Sequence, residues 1–138
     1  MSRSLRRVAA IAVSAVALVV SSSCTSSTSP NLTPAQLAGS YVLLSFQSQG
    51  GPVMTPTSVP AATGTIVLTT TRYTLALTVA GTATPDSGTY TVSGSTFSET
   101  SDVTTLTYTG TASLSNTNVL SVAVQTPAGL VSTTFQKQ

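Results

Sequence analysis

Tyr73-Thr74-Leu75-Ala76-Leu77-Thr78-Val79-Ala80 alternates strictly: Tyr73, Leu75, Leu77 and Val79 share one parity, and small or hydroxylated residues hold the other. Successive side chains of an extended strand point to opposite faces, so this octet has one apolar face and one wettable face. A helix would scatter the same four apolar residues around its circumference. The stretch is therefore a β-strand, and its pattern recurs along the chain.

Similar runs cover Gly39 to Ser48, Gly64 to Thr71, Gly88 to Ser93, Ser95 to Thr100, Thr104 to Ser113, Val119 to Gln125 and Leu130 to Lys137, which with Tyr73 to Ala80 makes eight strands. Turn chemistry separates them at Pro85-Asp86-Ser87-Gly88, Ser93-Gly94-Ser95, Asn116-Thr117-Asn118 and Pro127-Ala128-Gly129. Short connections imply antiparallel neighbours. Gln49 to Thr63, with Gly50, Gly51, Pro52, Pro56 and Pro60, is expected to be the longest, irregular loop. Thr makes up about a fifth of the chain, and its β-branched, hydroxylated side chain suits the outer face of a sheet. Only 6% of residues are charged, so an open sheet edge would lack the charges that keep other chains from pairing with it. Closure removes the edge. The fold expected is all-β, a small eight-stranded antiparallel up-and-down barrel, with a two-sheet sandwich as the alternative.

The N-terminus is of another kind. Arg3, Arg6 and Arg7 precede an apolar run of 13 residues, Val8 to Val20, followed by Ser21-Ser22-Ser23-Cys24. This is the order of a secretory signal, and the run is too short for a permanent span, which needs about 20 residues. The arrangement around Cys24 resembles the lipobox of bacterial lipoproteins, although Ser21 stands where Leu is usual. That resemblance implies a Cys24 that carries palmitate-type acyl chains and becomes the first residue after cleavage. The expected organisation is a signal peptide over residues 1–23, a Ser/Thr/Pro-rich flexible spacer over 24–36, and the barrel domain over 37–138. An acylated chain would sit in the cell envelope, attached to a membrane at its periplasmic or extracellular face. The three leader arginines account for the whole positive balance. Without them the formal charge of +2 becomes −1, so no nucleic-acid footprint is expected.

Leu37-Ala38-Gly39-Ser40-Tyr41 opens the first strand with Leu, a spacer, Gly, any residue and an aromatic. With the Pro-containing loop, Gly88-Thr89-Tyr90, Gly110-Thr111 and the terminal Phe135-Gln136-Lys137, the domain resembles the bacterial lipocalin-like lipoproteins, relatives of the calycin barrels. The resemblance implies a barrel whose opening aromatic, here Tyr41, packs under a cation at the base. Lys137 and Arg72 are the candidates, with exposed strand-end cations as the plainer reading.

The chain has no His, which removes Ser-His-Asp and Cys-His nucleophiles, and its one Cys is assigned to the anchor. The acids are Asp86, Glu99 and Asp102. Glu99 and Asp102, three apart, offer a conceivable carboxylate pair or weak cation site, against the plainer reading of solvated turn residues; Asp86 reads as a turn former. No enzyme activity, cofactor or metal is expected. The aromatics Tyr41, Phe46, Tyr73, Tyr90, Tyr108 and Phe135 are the candidate contacts for a small apolar ligand inside the barrel, with core packing as the alternative role. A binding barrel should hold a cavity of a few hundred Å³. An interaction module, such as a protease inhibitor or assembly accessory, should instead be filled and should expose Val53, Met54 and Val59 on its long loop.

Overall fold

A computed structural model describes residues 31–138. The expected leader, Cys24 and the spacer as far as Pro30 lie outside the described residues. The rest forms one short helix, α1 (Pro34–Leu37), and nine strands: β1 (Gly39–Ser48), β2 (Ala62–Leu68), β3 (Arg72–Val79), β4 (Thr82–Ala83), β5 (Asp86–Ser93), β6 (Thr96–Ser101), β7 (Thr107–Leu114), β8 (Val119–Thr126) and β9 (Gly129–Lys137). Every pairing is antiparallel: successive strands pair along the chain, β3 pairs both with the two-residue β4 and, past it, with β5, and β9 returns to pair with β1. The sheet is thus a closed eight-stranded up-and-down barrel, and the two-sheet sandwich is set aside. The two-residue β4 pairs with the end of β3 through Ala80-Gly81, both at positive φ, as a tight hairpin turn requires.

Alternation selects the interior. Tyr73 and Leu77 of β3 are buried, and the apolar residues of matching parity on the other strands form a single core. β1 breaks the rule. Tyr41 and Leu43 point inward, a bulge shifts the register between Leu43 and Ser45, and Phe46 packs against the core despite its even number. Leu44 is left exposed, and on the outer wall Ser45 Oγ meets Thr134 Oγ1 at 2.6 Å.

Two inward positions must be glycine because strands crowd them. A Cβ on Gly110 would stand 1.8 Å from the Ala123 carbonyl oxygen, and one on Gly88 would stand 1.9 Å from that of Thr100. Such positions let a small barrel turn its corners.

Three expectations are corrected here. The tract 31–36 is not free spacer: Leu32 is 3% exposed and its N–H donates to the Gly94 carbonyl, and α1 follows. The strands alone leave an apolar barrel end uncovered, and the one aliphatic of the polar tract covers it. The long loop, residues 49–61, is not irregular throughout, because Met54 and Phe46 exchange two backbone hydrogen bonds of 2.8 Å. Met54 is accordingly buried at 8%, not displayed. Finally, β5 begins at Asp86, so this residue belongs to the sheet.

Candidate functional site

The two barrel ends differ in construction. At one end Tyr41, Tyr90, Leu32 and Leu37 are all buried. The Tyr41 hydroxyl donates to the Leu37 carbonyl at 2.7 Å, and the Tyr90 hydroxyl donates to the Thr69 carbonyl at 2.6 Å, so neither polar tip is stranded. Burial and the nearby Tyr90 push the Tyr41 phenol up to about 12. The Lys137 ammonium lies 5.6 Å from the centre of the Tyr41 ring and also donates to the Gln36 carbonyl. Lys137 therefore takes the place of the basal cation. Arg72 does not: it forms an ion pair with Asp102 on the outer wall, with both side chains about half exposed. Such a pair is worth little in stability.

The middle of the barrel holds a partly open cavity of about 100 Å³. Its wall is mainly apolar, with Phe46, Leu75, Leu77, Phe97, Val122 and Phe135 among its residues, and it extends toward Val124 and Val131, on the side of the 49–61 loop. The volume is well below the few hundred Å³ expected of a binding barrel. It suits an occupant of about benzene size, given that a cavity of ~150 Å³ can hold benzene. Grooves on the outer wall are larger, one of about 440 Å³, but are open and lined in part by glutamines and serines.

One side of the cavity is polar. Asp86 opens β5 with its carboxylate inward, where Oδ2 accepts the Tyr73 hydroxyl at 2.8 Å and Oδ1 accepts the Ser101 hydroxyl at 2.6 Å. Ser101 Oγ in turn accepts the N–H groups of Val103 and Thr104, which ties the β6–β7 turn to the interior. Burial, the hydrogen bond to Asp86 and the negative charges of Glu99 and Asp86 raise the Tyr73 phenol, so it stays a donor. Glu99 of β6 also lines the cavity, with no side-chain partner among the hydrogen bonds of the described residues. Burial, and then the charge of Asp86, push its carboxyl up to about 7.

These positions revise the expected site. Phe46, Tyr73 and Phe135 lie in the cavity wall. Tyr41 and Tyr90 belong to the closed end, and the Tyr108 hydroxyl pairs with Thr104 Oγ1 away from the cavity wall. Glu99 and Asp102, conceived as a pair, point to opposite sides of the wall, because three residues along a strand reverse the face. The carboxyl that shares the cavity wall with Glu99 is Asp86. Its role was hidden by the turn chemistry of Pro85-Asp86-Ser87-Gly88. A signal was available: Asp86 shares parity with Gly88 and Tyr90, as Glu99 does with Phe97 and Ser101, and all four of those neighbours are buried.

No family model matches the chain, and no curated protein matches it. Among solved structures, the chain is similar to a de novo designed fluorescence-activating β-barrel, with a TM-score of 0.52 and 18% identity over 78% of this chain and 99% of the design. At that identity the likeness speaks to the fold alone, an antiparallel β-barrel. Among the described residues no helix is long and apolar enough to cross a membrane, and no group of three or more metal-ligating side chains is present.

Proposed function

We propose that this chain is a non-catalytic, lipid-anchored cell-envelope protein of lipocalin-like type, whose barrel binds a small, largely apolar molecule. The observation that carries the binding reading is the apolar cavity at the barrel centre, with one polar wall to orient an occupant. The designed barrel of similar fold is fluorescence-activating, which is in keeping with a barrel of this size holding a small molecule. Support for the anchor comes from the leader and Cys24.

Native mass spectrometry of the full chain, extracted from its own envelope, tests both parts. A co-purifying small molecule, absent from a Val122→Phe variant that fills the cavity, supports binding; identical spectra from both count against it. Cys24→Ser should abolish acylation and membrane retention, and a variant still acylated and retained would end the anchor reading.

The interaction-module reading draws on Val59, 99% exposed, and Val53, 55% exposed, on the long loop. It gains if the same spectra show a stoichiometric protein partner that is lost on Val53→Ser/Val59→Ser and retained on Val122→Phe.

A further inference from the structure

The polar wall of the cavity has a definite sign. Its two carboxyls, Asp86 and Glu99, come from adjacent strands, β5 and β6, and are the charged groups lining the cavity. The described residues contain two cations, and neither reaches it. Arg72 is held by Asp102 on the outer wall, and Lys137 is held over Tyr41 at the closed end. Asp86 spends its two oxygens on Tyr73, Ser101 and its neighbour's N–H at Ser87. Glu99, half-buried, makes none of the side-chain hydrogen bonds among the described residues and lines the same partly open space. An ionised carboxyl in an apolar cavity is costly unless a counter-charge or a donor joins it. The aromatic faces of Phe46, Phe97 and Phe135 supply the apolar remainder of the wall.

Resting on the binding reading above, we infer that the barrel selects a small amphiphile with an apolar body of about benzene size and a protonated amine as its head, the head meeting Glu99 and the body filling the space beside Phe97 and Phe135. A carboxylate-bearing ligand, such as a fatty acid, would bring a third negative charge to the same wall and is disfavoured. The groups facing Glu99 are Asp86 and its register partner Tyr90 on β5, Tyr73 on β3 and its register partner Tyr108 on β7. None of them carries a positive charge. The amine therefore supplies the counter-ion that the fold omits, and its binding should strengthen as Glu99 loses its proton.

Titration of the full chain with benzylamine, benzyl alcohol and benzoate, followed by amide chemical shifts and calorimetry between pH 6 and 8, separates the possibilities. Benzylamine is expected to bind about tenfold more tightly than benzyl alcohol, one pKa unit's worth of interaction, with benzoate weakest. Affinity for benzylamine should rise across that pH range while that for benzyl alcohol stays flat. In Glu99→Gln, which also removes a half-buried ionisable group, the amine preference should shrink about tenfold and the pH dependence should vanish. If no probe binds, the binding reading itself fails. If benzyl alcohol or benzoate equals benzylamine, or the wild-type affinity for the amine is independent of pH, binding stands and the amine inference is overturned. The wild-type pH series decides the matter even if the variant folds poorly.

Discussion

The closed end and the loop-bearing end of this barrel are made from the same strands, yet they are stabilised by different means. At the closed end a helix of four residues, Leu32 and the Lys137 side chain are brought onto Tyr41 and Tyr90, and both tyrosine hydroxyls there have a backbone acceptor. At the other end the 49–61 loop contributes one buried hydrophobe, Met54, and leaves Val53 and Val59 in solvent. Between them lies a gap with two carboxyls on its wall. Stability is thus concentrated at one end and unsatisfied space near the other, the division expected where a rigid scaffold supports a less tightly packed site.

The difference can be broken most severely at Tyr41. Tyr41→Ala removes a 1% exposed ring, its hydrogen bond and the Lys137 contact, and should cost about 3–5 kcal/mol in chemical denaturation. Leu32→Ala tests whether the tract before α1 belongs to the domain. An expected loss of about 2 kcal/mol identifies it as core, and a loss near zero would return it to the spacer.

Glu99 sharpens the contrast by pH. Its carboxyl titrates near 7 in the folded chain against an ordinary value of 4.5, so between those values the folded state holds more protons than the unfolded one. The contribution of Glu99 to stability should therefore be greatest below about 4.5 and fall as pH rises through 7, by a total on the order of 2 kcal/mol after allowance for solvent screening. Denaturation midpoints across that range should show the slope in the wild type and a flatter profile in Glu99→Gln. The smallest effect belongs to the loop: Val59→Ser, at a residue 99% exposed, should change stability by less than about 0.5 kcal/mol.

Much of this architecture was legible in the alternation of apolar and hydroxylated residues. Tyr73 to Ala80 and its counterparts gave the strands, the turn residues gave the antiparallel order, and the shortage of charge argued for closure. The site was less legible. Half of the expected aromatics, Tyr41, Tyr90 and Tyr108, lie away from the cavity because residues of one parity occupy different heights along a barrel, and parity carries no information about height. Asp86 looked like a turn residue because Pro, Ser and Gly surround it, and local chemistry outweighed a pattern that continued through it.

The amino-acid sequence alone determined that this chain would fold as alternating strands with an apolar inner face, since a period of two is a local property of each segment. Only the tertiary structure decided how the faces met. The bulge after Leu43 turned Phe46 inward, Leu32 came back to cover an end, and Asp86 and Glu99 came to line one apolar space. Those outcomes depend on closure of the barrel, which brings distant segments together and removes the water that would otherwise separate their charges.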